Sequence, residues 1–461
     1  YDPREPGELA IFARCLVELA DPALGLGAEL RDPGQLLGVE PDQHAVLAAI
    51  ELDLWETEVG EGVHDLAAAA EDLAGRVFEG REGEVELDLP DERDREGLSD
   101  SSQVAEPDLE PAAGRARLNA LVTVLVNAYC TLRELPALEF PHTLNTIRDL
   151  NDAELPEHLD GFAGYVASRG EAMTQTRYHV IRHVLRVRHH LSLEVEPEDM
   201  ERFARWGWRA NALIFLPDGT IRDPSGAVLV YPGNLEPDAS AEVPFPEDAH
   251  QRKRASSERL EELGIEVAST LPPCLGEGEV ELRQPIDVAR RALALFVVAT
   301  RAESLNHGAP IPSETLRRQM PQGFLALSPR ERAFMECEEP DPQEIVQAVW
   351  RYEALYLLQW ALGLSEELPL PTEICDVPAL RERMERSLED LTGSPTLRPA
   401  DEILSALDLH VRLHWAVRQA RLDEREPPQG LSPGVVLERH YALNWLIRFE
   451  DDDWDEVDVP T

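Results

Sequence analysis

The sequence predicts a mainly α protein of several domains, with one small antiparallel β meander near residues 211–231. Three observations lead there. Apolar residues recur at three- and four-residue spacing along most of the chain. Stretches rich in Pro, Gly and acids cut that spacing into blocks. One segment, "NALIFLPDGTIRDPSGAVLVYPG", instead shows short apolar runs around Asp218-Gly219 and Pro224-Ser225-Gly226, where glycine supplies the positive φ of tight turns.

Residues 1–80 read as an N-terminal helical region, with helices expected at 8–20, 44–56 and 63–77. Residues 81–114 are dense in acids, Gly, Ser and Pro and read as an acidic linker or long loop. Residues 115–240 form a second helical region carrying the meander. Within it, Arg115 to Leu135 is predicted to be a buried helix, because "LNALVTVLVNAYCTL" is apolar on most sides. "TRYHVIRHVLRVRHHL" is predicted to be another. Strands are expected at Leu213–Leu216, Thr220–Arg222 and Ala227–Tyr231. Three short strands are marginal alone, so they should lean on helices. Residues 249–461 read as an all-helical domain of orthogonal or bundle type, with helices at 249–264, 285–304, 328–337, 342–362, 378–390, 399–422 and 433–449.

A chain of 461 residues can hold two or three cores. Acids outnumber bases 89 to 43, for a net charge of -46, and Lys253 is the single lysine. Two readings compete: a proteome-wide habit of acidic, Arg-using surfaces, or a basic protein partner. Either argues against nucleic acid, which needs a basic face. The island Arg177, Arg182, Arg186, Arg188, His189 and His190 could hold an anion, or could answer the chain's own acids. The five cysteines are scattered and form no CxxC pair, as expected of reduced thiols. No uncharged apolar run reaches membrane-spanning length, and no secretory leader is read, so a cytoplasmic location is expected. Phosphate-loop, GxGxxG and GxSxG patterns are absent from the sequence, and no cofactor is expected. His179/His183 and His410/His414 have helical metal spacing, but neither pair has a third ligand or the adjacent Glu of a metalloprotease. No metal is expected.

In the last region, "RQPIDVARRALALFVVATRAE", "LSPRERAF", "VWRYEALYLLQWALGL", "LPLPTEICD" and "ERHYALNWLI…DDDWDEV" occur in that order. As an ordered set they resemble the bacterial family catalogued as domain of unknown function 4272. The resemblance covers roughly the final 210 residues. It implies a soluble, mostly helical domain and brings no activity with it.

The helix at 342–362 poses the sharpest physical question. Asp341, Pro342 and Glu344 fit its first turn, and Gly363 can end it. Between them the apolar residues go nearly all the way round, yet Arg351 and Glu353 interrupt them. Two residues apart is about 200° around a helix, so these charges face opposite ways. An unpaired buried carboxylate costs several kcal/mol or protonates. Partners are expected on the helix carrying Arg290, Arg291 and Arg301, or on the C-terminal helix, where Glu438, Arg439, His440 and Asn444 interrupt an apolar run. Arg291, Arg351, Glu353, His440 and Asn444 are the candidate polar cluster. It either fixes helix docking or lines a pocket between helices. Beyond it, Trp454 sits inside an acidic run, either as an anchor that folds the segment back toward arginines or as a cap on a groove.

Function is read in two ways. The first is a non-catalytic protein-binding module with an acidic surface and a basic protein partner. The alternative is an enzyme using the polar Arg/Glu/His cluster, with Glu353 or His440 as general acid or base.

Overall fold

The computed structural model describes residues 123–170 and 173–460. The expected helices at 8–20, 44–56 and 63–77 and the 81–114 linker lie outside the described residues. The described chain falls into two units, which meet in sequence at Pro244 and Phe245.

The first unit is built on a six-stranded antiparallel sheet, larger than the expected meander. Its strands are β1 (Val124–Cys130), β2 (Thr143–Asp149), β3 (His189–Val195), β4 (Ala212–Phe215), β5 (Ile221–Arg222) and β6 (Val228–Val230), in the order β2-β3-β1-β4-β5-β6. Helices α1 (Leu155–Ala167), α2 (Gln175–Val184) and α3 (Met200–Arg209) complete it. Val126, Ala128 and Cys130 face one way, into a core with Phe203 and Trp206 of α3. Tyr129 faces the other way, into a core with Phe162 of α1 and Val180 of α2.

That layering explains two corrections. Residues 124–130 are a strand and not the predicted helix. A strand covered on both faces reads as a continuous apolar run, which periodicity cannot tell from a buried helix. The predicted helix through Leu191 ends at Val184, and its latter part is β3. Leu191, Leu193 and Val195 are buried while Ser192 and Glu194 between them are not, the alternation of a strand. Gly219 turns β4 into β5 at φ +80°, and its carbonyl accepts a 2.6 Å hydrogen bond from Tyr165 on α1.

The second unit is helical among the described residues: α4 (Glu247–Glu262), α5 (Pro285–Asn306), α6 (Ser313–Gln319), α7 (Pro321–Leu325), α8 (Pro329–Glu336), α9 (Pro342–Ala361), α10 (Val377–Arg386), α11 (Leu388–Thr392), α12 (Ala400–Leu422) and α13 (Pro433–Leu446). Asp341 and Glu344 form the capping box that starts α9. Helix α5 packs on α9, α9 on α13, α13 on α12, and α12 on α4. Helices α5 and α9 are apolar nearly all round because both are central. The largest core lies between α5, α9 and α13 and takes in Trp454 and Val457 from beyond α13. A second core joins α5 to α6–α8, and a third joins α4 to α12. No described helix is long and apolar enough to cross a membrane.

Candidate functional site

Arg351 and Glu353 are both answered from α13, by adjacent residues. Arg351 Nη1 lies 3.0 and 3.1 Å from the two carboxylate oxygens of Glu438. Glu353 Oε2 accepts from Arg439 Nε at 3.3 Å and Nη2 at 3.2 Å. The difference is depth. The Arg351 and Glu438 side chains are 26% and 12% exposed, those of Glu353 and Arg439 2% and 1%. The other Glu353 oxygen accepts the Cys375 amide N–H, and Arg439 Nη1 donates to the Pro369 carbonyl at 2.8 Å. A buried ion pair survives only when such extra bonds satisfy its remaining valences.

The other candidates are placed apart from that pair. His440 Nδ1 meets His414 Nδ1 at 2.9 Å, joining α12 to α13. One ring donates and the other accepts, so the accepting imidazole must be neutral. Burial, with His414 and His410 nearby, holds His440 well below the ordinary histidine range. Burial, then Arg418, pushes His414 down to about 3. His410 is tied to the Ala406 carbonyl at 2.7 Å and is likewise depressed by burial and Arg439. Asn444 donates to the Asp458 carbonyl at 2.7 Å. Arg291 pairs with Glu331, which also closes the capping box of α8 with Ser328. The five candidates therefore belong to several contacts and do not converge on one cavity.

The segment beyond α13 lies across the unit's surface and holds Trp454 in a cage. The indole packs edge-on against Tyr441 and Trp445, with ring centroids 5.1 and 5.4 Å away. The Arg291 and Arg351 guanidinium carbons lie 4.9 and 5.9 Å from its centroid. Arg283 donates to the Asp452 carbonyl, Tyr441 to the Trp454 carbonyl, and the Arg330 amide to Asp455 Oδ2 at 2.9 Å. That carboxylate sits at the positive end of α8. Beside the indole is a cleft of ≈450 Å³ lined by Arg283, Arg291, Trp445, Trp454 and the acids Asp287, Asp453, Asp455 and Glu456. Asp453 and Glu456 are exposed.

Several pairs went unread in the sequence. Asp408 and Arg412, both fully buried, make a bidentate pair at 2.8 Å. Their four-residue spacing on one helix was the available signal. Glu303 Oε2 accepts from Tyr352 at 2.9 Å, and burial pushes its carboxyl up to about 7. In the sheet unit, Tyr129 and His158 meet at 2.9 Å, and His190 stacks on the Tyr129 ring and packs tilted against that of His158. Arg148 Nη1 lies 3.3 Å from His190 Nδ1. Arginine can only donate, so Nδ1 accepts and Nε2–H donates to Asn127 Oδ1 at 3.1 Å. His183 Nε2 lies 3.2 Å from the Tyr129 carbonyl, and burial pushes it down to about 3. Among the described residues, the group with ligating atoms drawn together as a metal would need is Glu196, Glu198 and Asp199, an acidic turn before α3.

The fold and these contacts define an all-helical domain docked through internal ion pairs and closed by an aromatic strap. Residues 252–457 match the family described as Domain of unknown function (DUF4272), and this region of the chain is a domain of that family. No curated protein and no solved structure matches the chain.

Proposed function

We propose that this protein acts by binding a basic protein partner, with the cleft beside Trp454 receiving a lysine or arginine side chain. One observation carries the reading. The cleft's arginines are engaged, Arg291 by Glu331, Arg283 by backbone carbonyls and Arg290 by Asp287. Among the described residues, its exposed acids Asp453 and Glu456 form no side-chain ion pair. What the cleft offers outward is therefore carboxylate, since its two indoles are buried and already faced by arginines, and exposed carboxylate suits a cation. The chain's net charge of -46 would speed the encounter. A role inside the cell, in the cytoplasm, fits such a partner.

Calorimetric titration with a defined Lys/Arg-rich peptide tests this. Saturable one-to-one binding is expected, weakened by salt and reduced about tenfold by Asp453→Asn with Glu456→Gln. Binding that never saturates, or that ignores both substitutions, would mark simple polyelectrolyte attraction and defeat the reading.

The enzyme alternative finds its best support at Glu303 and not at Glu353. A carboxyl raised to about 7, with Tyr352 donating to it and His307 Nε2 at 3.9 Å, has the character of a general acid or base. Turnover of any substrate that collapses with Glu303→Gln while the fold persists would favour it.

A further inference from the structure

We infer that residues 449–460 can leave their groove and dock in the same groove of a second copy of this chain, giving a dimer by reciprocal exchange. This goes beyond the proposed binding of a basic partner and does not depend on it.

Two independent observations carry the inference. The first is how the segment is held. It is gripped as a separate peptide would be: two buried anchors, Trp454 and Val457, and side chains reading its backbone carbonyls. Arg283 takes the carbonyl of Asp452, Tyr441 that of Trp454, and Asn444 that of Asp458. Its charge complements the groove at one point, where Asp451 and Asp453 favour the charged form of Arg283. None of these contacts depends on which copy supplies the segment.

The second is the connection to α13. Arg448, Glu450 and Asp451 have φ of 55°, 53° and 62°, in the left-handed region that favours glycine. The chain needs these turns only to bring the segment back onto its own domain. In an exchanged dimer the connection can run extended, the groove contacts are recovered on the partner, and the three strained residues relax. Strain in a short hinge is the condition under which exchange is favoured. Each relaxed residue should shift the equilibrium about tenfold toward the dimer.

The experiment is light-scattering mass after size exclusion on the full chain, at low micromolar and millimolar concentration. Deleting Glu450 and Asp451 leaves too little hinge for the segment to reach its own groove, so the variant should be a stable dimer. Adding Trp454→Ala to that deletion should return it to a monomer. The substitutions Arg448→Gly, Glu450→Gly and Asp451→Gly relax the turn in place and together should lower the dimer fraction at least tenfold relative to the parent. A deletion variant that stays monomeric, with Trp454 newly open to solvent by fluorescence, would overturn the inference. So would a dimer that survives Trp454→Ala, because its contacts would lie elsewhere. Peptide binding measured on the same variants distinguishes this result from the basic-partner proposal.

Discussion

The Tyr129 cluster of the sheet unit and the ion pairs of the helical unit bury polarity in different chemical forms. In the sheet unit one cluster is neutral, Tyr129, His158, His190 and Asn127 with Arg148 at its edge, while Arg177, Asp199 and Asp223 are buried elsewhere in it. In the helical unit the buried ion pairs include Glu353 with Arg439, Asp408 with Arg412, and Arg291 with Glu331. Neutral rings are inexpensive to bury, but they fail when acid protonates them. Ion pairs tolerate a wide pH range, yet each charge is intolerable without its partner. The kind of perturbation that breaks the Tyr129 cluster should therefore differ from the kind that breaks the ion pairs.

The largest effect is expected at Glu353. Glu353→Gln keeps the shape but leaves the Arg439 guanidinium buried opposite a neutral amide. Loss of one partner of a buried pair costs about 3–5 kcal/mol. Replacing both, with Glu353→Leu and Arg439→Met, should recover most of that loss, because neither charge is then buried. Urea unfolding of the single and double variants checks this. A double variant as unstable as the single one would show that the bonds to Cys375 and Pro369 matter more than charge neutrality.

The next effects have opposite signs in pH. Burial first, then His158 and Arg148, pushes His190 down to about 4. Its folded value is depressed, so its contribution is present above an unfolded value near 6.5 and is lost as pH falls toward 4. Glu303 is raised to about 7, so its contribution is present below an unfolded value near 4.5 and is lost as pH rises through 7. Each amounts to roughly 3 kcal/mol at most. Protection against hydrogen exchange, corrected for the intrinsic rate at each pH, should accordingly fall in acid across β1 and β3, and above neutrality across α5 and α9. His190→Gln should flatten the first trend and Glu303→Gln the second. If each substitution left its trend in place, other groups would be responsible.

How much of this was legible depended on whether the cause was local. The first turn of α9 was, because Asp341, Pro342 and Glu344 act within one turn. Most helices of the second unit were, because their spacing and punctuation agree, but the short α6 and α7 went unread and the expected 378–390 helix is two, α10 and α11. Strand β1 was not, because cover on both faces removes the alternation that marks a strand. At the site, the need for partners to Arg351 and Glu353 could be read from a charge on an apolar helix. The assignment could not, since Glu438 and Arg439 are neighbours and either could have met either charge. The Tyr129, His158, His190 and Arg148 contact draws on four elements that only folding brings together. Trp454 stood out as an oddity, while its cage of Tyr441, Trp445, Arg291 and Arg351 had no sequence signature.

The smallest effect is the most discriminating. Arg351–Glu438 joins the same two helices as Glu353–Arg439, and its two residues neighbour that pair's in sequence, yet it is partly open to water. Arg351→Gln removes a bidentate contact, worth about 1 kcal/mol or less at such a site. It also removes a guanidinium 5.2 Å from the Tyr441 ring, worth about 0.5–1 kcal/mol. Glu438 left behind can hydrate, so no buried charge is stranded. The expected loss is about 1–2 kcal/mol, and the ion-pair part should shrink in high salt. Glu353→Gln should respond little to salt, because its pair is shielded from solvent. Chemistry and helix partners are shared, so burial is what differs between the two. A loss at Arg351 equal to that at Glu353, and equally indifferent to salt, would mean that depth does not set the cost. The contrast drawn between the Tyr129 cluster and the ion pairs would then lose its basis.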